Sequence, residues 1–296
     1  HSTSPEYVID VQGYSVPPSS ATANVLVPIT PCRVVDTRGG SALRSGEQRS
    51  YRVNGTGAAF AAQGGRSDGC GIPVGATAVE AAVTAVGPTR DGYFRAWPTG
   101  QAMPNATFLN FSARQSATNT GAVAVAGGSG SNLTVRNQGA TAHYVIDVQG
   151  YFVSETAAPA GATVFVPMSP CRVLDTRSGG GGRLAPNDQR SYAVSGTGAA
   201  FGSQGGATGG CGVPEGATAT EASVTAVAPD ADGFFRAWPA GQALPNATFL
   251  NFSAGQSTTN TGALAIRPHA ATDLSVRNYG ARAHYVVDLQ GYYRPR

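Results

Sequence analysis

The stretch HYVIDVQGY at 143–151 decides the fold that the sequence predicts. Tyr144, Ile146 and Val148 share one face of an extended chain, and the residues between them occupy the other face. An alternation with a period of two is typical of a half-buried β-strand. The same period occurs in AVEAAVTAV at 78–86, and no segment shows a convincing helical stripe of apolar residues. The sequence therefore predicts an all-β protein.

The chain contains an internal duplication. PCRVVDTR at 31–38 returns as PCRVLDTR at 170–177, and a longer segment that starts with FRAWP returns in the same way. A unit of about 140 residues is too long for a solenoid repeat, so the two copies predict tandem domains. We expect two antiparallel β-sandwich or jelly-roll domains of about nine strands each, with a closed barrel as the alternative. The predicted boundaries are repeat 1 at 23–153, a linker at 154–163 and repeat 2 at 164–296.

The HYVIDVQGY segment occurs in three versions, whereas the rest of the chain occurs at most twice. Its first version, EYVIDVQGY at 6–14, precedes repeat 1 and is similar to the segment that closes each repeat. We interpret residues 1–22 as the closing strand of an upstream unit followed by a linker. Alternatively this strand, with Tyr7, Ile9 and Val11 on one face, adds to a sheet edge of repeat 1 or of a second copy of the chain. The QGY that ends the segment is expected to turn out of the sheet into the linker.

Charge and hydropathy argue against two classes of partner. The net charge is +3, which is too small to imply binding to nucleic acid. No apolar run approaches the ~18–20 residues of a membrane-spanning helix, so we expect no membrane span. A hydrophobic content of 41% supports a folded core.

Four cysteines lie at matching places in the two repeats. Cys32 and Cys70 lie in repeat 1, and Cys171 and Cys211 lie in repeat 2. One disulfide in each repeat is the simplest of the three possible pairings, and four buried reduced thiols are the alternative. Disulfides would place the protein outside the reducing cytosol, in an extracellular or cell-surface location. No CxxC pair occurs, and we expect neither a metal site nor a cofactor.

A short polar motif, DTR, follows the first cysteine of each repeat. It supplies Asp36 and Arg38 in repeat 1 and Asp175 and Arg177 in repeat 2. The neighbouring cysteine and valines are typical of a core. This setting favours structural ion pairs at a strand end over recognition of a ligand.

The segments that begin with FRAWP are the richest in side chains that could bind a sugar. Aromatic faces stack on the C–H faces of sugars and planar amides bond sugar hydroxyls, so these segments predict a carbohydrate site. A buried tryptophan that anchors a hairpin is the alternative. The candidate residues are Arg95, Trp97, Gln101 and Asn110 in repeat 1 and Arg236, Trp238, Gln242 and Asn251 in repeat 2.

No catalytic constellation is visible in the sequence. It contains no G-x-S-x-G elbow, no H-E-x-x-H motif and no phosphate-binding loop. The acidic positions that the repeats share show no spacing that would bring two carboxylates together. We therefore expect a protein that is not an enzyme.

The pattern PCRV(V/L)DTR … FRAWP … NATFLNFS … QGY resembles a repeat of large secreted proteins of actinobacteria and other soil bacteria. In those proteins the repeat occurs in tandem or attached to hydrolases, and it has no established activity. The likeness covers both repeats almost from end to end. It implies an extracellular, non-catalytic, all-β module; the hydrolase context implies contact with glycans or the cell wall, and the tandem context implies stalks or fibres.

Two functional hypotheses follow from these observations. The first is a structural or adhesive tandem-repeat protein that acts as a spacer, a surface element or a fibre element. The second is a pair of carbohydrate-binding modules that gain avidity from tandem display. The expected partners are copies of the chain itself in the first case, and glycans or the cell wall in the second.

Overall fold

The computed structural model describes residues 10–16 and 24–296, and its regular structure is almost entirely β-strand, which confirms the all-β prediction. Repeat 1 contains β1 (Asn24–Asp36), β2 (Gln48–Tyr51), β3 (Ala78–Val86), β4 (Gly92–Pro98), β5 (Leu109–Phe111), β6 (Ala117–Ala124), β7 (Leu133–Gln138) and β8 (His143–Ser154). Repeat 2 contains β9 (Thr163–Asp175), β10 (Gln189–Tyr192), β11 (Ala219–Val227), β12 (Gly233–Pro239), β13 (Leu250–Phe252), β14 (Thr258–Ala265), β15 (Leu274–Gly280) and β16 (His284–Pro295). Two short helices, α1 (Ala59–Ala62) and α2 (Ala200–Ser203), and 3-10 turns at Thr37–Gly39 and Glu155–Ala157 complete the described elements.

Each repeat is an antiparallel sandwich of eight described strands, close to the nine expected. In repeat 1, the four strands β1-β8-β3-β6 pack against the sheet β2-β7-β4-β5. Repeat 2 has the same arrangement, with β9-β16-β11-β14 packed against β10-β15-β12-β13. The alternation of the sequence directs the packing, because Val79, Val83, Tyr144 and Ile146 all point into the core of repeat 1 and are buried there.

The two sandwiches share one sheet. The order β14-β11-β16-β9-β1-β8-β3-β6 runs without a break from repeat 2 into repeat 1. The strands that join are β1 and β9, which are antiparallel and meet where Leu26 lies opposite Thr163. The Thr163 hydroxyl also donates to the Leu26 carbonyl at 2.8 Å. The repeats are therefore not two bodies separated by a free linker, a feature that the repeat pattern did not predict.

The QGY residues lie inside the closing strand instead of turning away from it. Gly150 lies opposite Pro28 and Tyr151 lies opposite Val27, so β8 continues to Ser154. A Cβ at Gly150 would lie 2.8 Å from Leu26 Cδ1 and 3.0 Å from the Val27 carbonyl oxygen. Glycine is therefore required there by the close approach of β1, and not by a turn.

Both predicted disulfides are present. Cys32 bonds to Cys70 and Cys171 bonds to Cys211, with Cα atoms 5.8 Å apart in each pair. Each bridge ties the first strand of its repeat to the loop that follows the short helix. Covalent closure of loops of this length is worth roughly 4 kcal/mol per bridge in the chain-entropy model.

Candidate docking interface between the repeats

A fully buried carboxylate on β8 takes part in the contact between the repeats. Arg33 donates from Nε and Nη2 to the two oxygens of Asp147 at 2.9 and 3.1 Å. The backbone N–H of Thr248, from repeat 2, donates to Asp147 Oδ2 at 2.7 Å. Burial raises the pKa of Asp147 above its ordinary value, and the guanidinium of Arg33 and the Thr248 N–H oppose that shift. Repeat 2 thus completes the hydrogen bonding of a charge that belongs to repeat 1.

A set of amide side chains forms a second part of the same contact. Asn260 on β14 accepts from the backbone N–H of Thr120 at 2.9 Å and donates to its hydroxyl at 2.7 Å. Asn251 on β13 donates to the hydroxyl of Thr118 at 2.7 Å. The amides satisfy backbone and hydroxyl groups along β6, the edge strand of the shared sheet, as a neighbouring strand would do.

Two glutamates face each other where the sheet faces of the repeats approach. Glu80 is buried, and desolvation together with the nearby charge of Glu221 raises the pKa of Glu80 to about 8. Burial also raises the pKa of Glu221, against a hydrogen bond of 2.9 Å from the Tyr293 hydroxyl. Both glutamates line a cleft of about 870 Å³ between the repeats, which residues 12–16 border on one side.

The described part of the N-terminal segment lies on repeat 1 in the manner in which repeat 1 lies on repeat 2. The backbone N–H of Thr107 donates to Asp10 Oδ2 at 3.0 Å. Thr107 is the repeat-1 counterpart of Thr248, and Asp10 is the counterpart of Asp147 in EYVIDVQGY. Gln12 lies against Gly121, the counterpart of the Gly262 that packs against repeat 1. A fragment of the closing-strand sequence therefore occupies the position that a preceding repeat would fill.

The matching face of repeat 2 is open. Arg172 and Asp288 form the same pair as Arg33 and Asp147, with Nε–Oδ1 and Nη2–Oδ2 distances of 2.8 and 3.0 Å. Their side chains are 44% and 29% exposed, whereas those of Arg33 and Asp147 are 8% and 0% exposed. Within residues 10–16 and 24–296, no backbone N–H from a neighbouring unit reaches Asp288.

The predicted carbohydrate residues do not form an open aromatic platform. Trp97 and Trp238 are only 6% and 1% exposed. Each indole N–H donates to a carbonyl four residues later, that of Gln101 at 3.2 Å and that of Gln242 at 3.1 Å. Both tryptophans therefore anchor the turn that follows their strand.

The remaining candidates of those segments bind within the protein or face solvent. Arg95 donates to Asn105 Oδ1 at 3.0 Å, and Arg236 donates to the side chain of Asn246 at the same distance. Asn251 belongs to the docking interface, whereas its counterpart Asn110 is exposed. The Gln242 side chain accepts from the hydroxyl of Thr30 on β1, and the Gln101 side chain is exposed.

The DTR motifs make local ion pairs. Arg38 Nη2 lies 2.6 Å from Asp36 Oδ2, and Arg177 Nη2 lies 2.7 Å from Asp175 Oδ2. Asp36 also accepts from the backbone N–H of Arg38 and so caps the 3-10 turn that ends β1. Hydrogen bonds from Arg177 lower the pKa of Asp175 against the effect of burial. The pairs hold the end of the first strand in each repeat.

Only part of the predicted strand at 6–14 lies within the residues that the structure describes. Tyr7 and Ile9 lie outside the described residues. Val11 is exposed, and residues 10–16 belong to no strand ladder.

The docking interface is what the sequence reasoning missed. A signal was present in TNTGA, which occurs unchanged at 118–122 and 259–263 and supplies Thr118, Thr120, Asn260 and Gly262 to the contact. The polar residues of a half-buried strand are expected to face solvent, so the sequence pattern predicted no partner for these side chains. Their partner is the neighbouring repeat.

The described residues contain neither a candidate metal-binding cluster nor a helix that could span a membrane. Among residues 10–16 and 24–296, no group of three or more His, Cys, Asp or Glu side chains could hold a metal ion. Within the same ranges, no helix is both long enough and apolar enough to cross a membrane.

Comparison with known proteins gives only remote likenesses. No family model matches the chain, and no curated protein matches it. A solved structure described as "Crystal Structure of the STIV MCP" is 8% identical with a TM-score of 0.23, and the match covers 92% of this chain and 97% of that one. The CBM22-1-CBM22-2 tandem domain from Paenibacillus barcinonensis Xyn10C is 13% identical with a TM-score of 0.20, over 74% of this chain and 79% of that one. Likenesses this weak carry no argument about function.

Proposed function

We propose that the chain is a non-catalytic structural or adhesive tandem-repeat protein that acts as a rigid spacer, surface element or fibre element. One observation carries the proposal: repeat 2 supplies the third hydrogen bond to the fully buried Asp147 of repeat 1. A charge that is buried at a contact and then loses a partner is costly, so the two repeats should hold one relative orientation. A fixed orientation is the property that a spacer or fibre element needs.

Further observations support this proposal. The two disulfides fit an oxidising environment, and we propose an extracellular or surface location. The CRVxDTR…QGY pattern supports membership of the secreted repeat family described above. We also propose that the chain is not an enzyme, because Asp147 is engaged in packing and the sequence contains none of the catalytic motifs named above.

A distance measurement within one chain tests the spacer function. Spin labels attached through unnatural amino acids at the exposed Thr56 and Thr197 leave all four cysteines in place. We expect a narrow label-to-label distribution for the wild type and for Asn110→Arg, because Asn110 is exposed. Asn251→Arg inserts a charge into the docking interface and should broaden the distribution. A distribution that is already broad in the wild type would overturn the proposal.

Carbohydrate binding is a second candidate function, at a site different from the tryptophan segments that the sequence pointed to. The cleft between the repeats combines amide, carboxyl and aromatic side chains, including Asn119, Glu221 and Tyr293. These are the groups that bind sugar hydroxyls and C–H faces. We expect any glycan retention to be lost in Tyr293→Ala and kept in Trp97→Phe. Blank glycan arrays and no retention on insoluble polysaccharide or peptidoglycan would remove this candidate.

A further inference from the structure

The three versions of the closing segment carry three equivalent aspartates in two different situations. Asp147 accepts the N–H of Thr248, and Asp10 accepts the N–H of the equivalent Thr107. The third, Asp288, is paired with Arg172 alone among the described residues. We propose that the open sheet face of repeat 2 binds repeat 1 of a second copy of this chain, through the same contacts that join the repeats within one chain.

The face that would receive the second copy has a buried counterpart within the same molecule. We call it the docking face: Arg172, Thr225, Thr259, Asp288 and Gln290. All five counterparts in repeat 1 are buried, and none of the five is buried in repeat 2. Because the residues are the same, the difference in exposure comes from the presence of a covering repeat. The chemistry that would cover the docking face is therefore already visible inside the chain.

The second copy presents the matching groups on its own repeat 1. We call them the docking edge: the backbone N–H of Thr107 and the side chains of Asn110 and Asn119. Asn119 already donates to the Phe108 carbonyl at 2.7 Å, as Asn260 does to the equivalent carbonyl of Phe249. Asn110 is exposed and would reach Thr259, as Asn251 reaches Thr118. The edge is thus preformed in the geometry that repeat 2 uses.

Residues 10–16 compete for this edge. Asp10 occupies the position on Thr107 that Asp288 of another copy would take, so the segment must leave before a second copy docks. Asp10 to Ser15 are exposed in this position. A short exposed segment gains little from burial, whereas a docked repeat covers a whole sheet face. The segment therefore sets the threshold concentration for association and does not prevent it.

The contact is heterologous, since a face on repeat 2 meets an edge on repeat 1. Such contacts leave a free face and a free edge on every complex, and they extend into open filaments unless a rotation closes a ring. This inference rests on the proposed structural function. It adds a partner, which is a second copy of the chain, and a regulated, directional mode of association.

Sedimentation velocity on the full chain tests the inference. We expect Asp10→Ala to lower the concentration for half-association by about tenfold, the value of one charge-assisted hydrogen bond. In the Asp10→Ala background, Thr259→Arg destroys the docking face, Asn110→Arg destroys the docking edge, and Thr56→Arg is the exposed control outside both. The first two should sediment as monomers and the control should associate.

Mixing the two defective variants gives the sharpest outcome. The Thr259→Arg chain keeps its edge and the Asn110→Arg chain keeps its face, so a mixture should form dimers and nothing larger. The inference would be overturned if Asp10→Ala remained monomeric at several hundred micromolar. It would also be overturned if the double variant Asp10→Ala, Thr259→Arg still associated. If the chains do not associate but the spacer function is right, the spin-label distance distributions within single chains will still be narrow. The two experiments therefore distinguish a failure of the inference from a failure of the proposed function.

Discussion

At the scale of single residues, Asp147 and Asp288 form a natural pair of experiments. Both pair with an arginine, but only Asp147 is buried and bonded to the other repeat. We expect Asp147→Asn to lower the free energy of unfolding by about 3 kcal/mol, because Arg33 keeps its charge without a full partner. Asp288→Asn should cost about 0–1 kcal/mol, as exposed pairs do. Urea denaturation measures both, and equal costs would contradict the assignment of Asp147 to a docking contact.

Glu80 should make the stability depend on pH. The pKa of Glu80 is raised to about 8 in the folded protein, from an ordinary value of 4.5. Between these values the folded state binds more protons than the unfolded state, so the free energy of unfolding falls as the pH rises from about 4.5 to about 8. Glu80→Gln should remove most of this slope and raise the free energy of unfolding by up to about 5 kcal/mol above pH 8. Melting curves across this range measure it, and a wild-type stability that rises with pH would contradict it.

The sequence predicted the side chains that pack inside one sandwich better than those that pack between sandwiches. Tyr144, Ile146 and Val148 are buried as their alternation indicated. Glu80 and Asp147 lie on the polar face of their strands and are buried as well. The alternation of apolar and polar residues shows which face of a strand meets the core of its own domain. It carries no information about a neighbouring domain that covers the opposite face.

At the scale of elements, two equivalent glycines on β6 and β14 have different neighbours. A Cβ at Gly262 would lie 2.5 Å from Thr120 Cγ2 and 3.0 Å from Thr120 Cβ. A Cβ at Gly121 would lie 2.7 Å from the flexible end of Gln12 and at an ordinary contact distance of 3.8 Å from Phe108 Cε2. Gly262→Ala should therefore strain the contact between the repeats by about 1–3 kcal/mol, and Gly121→Ala should be nearly neutral.

Calorimetry distinguishes these two variants. The wild type and Gly121→Ala should unfold in one transition that includes both repeats, whereas Gly262→Ala should separate the melting of repeat 1 from that of repeat 2. Two separate transitions in the wild type would contradict the coupling of the repeats through β6 and β14.

Strand existence could be predicted from the sequence, but the joining of sheets could not. The alternation over 78–86 matches β3 closely. The pairing of Leu26 with Thr163 depends on how the segment after β8 returns the chain beside β1. That path is set by tertiary contacts, such as the Thr163 hydrogen bond, and leaves no periodic pattern in the sequence.

At the scale of the whole molecule, the two disulfides should differ in reactivity. Cys32 and Cys70 are buried, whereas Cys171 and Cys211 are only half-buried. Under mild reduction with a thiol, followed by alkylation and mass mapping, we expect Cys171 and Cys211 to be labelled first. Simultaneous labelling of all four would contradict this difference in burial between the two disulfides.

The bridges also determine how the molecule carries tension. Each one connects residues 38 or 40 positions apart, so a pull along the backbone passes through sulfur and bypasses the enclosed span. The enclosed spans cannot lengthen while the bridges are intact, even after the sheets have come apart. An oxidised chain therefore has a shorter maximum extension than a reduced one, and the redox state of its surroundings sets how far it can stretch before it bears load on covalent bonds.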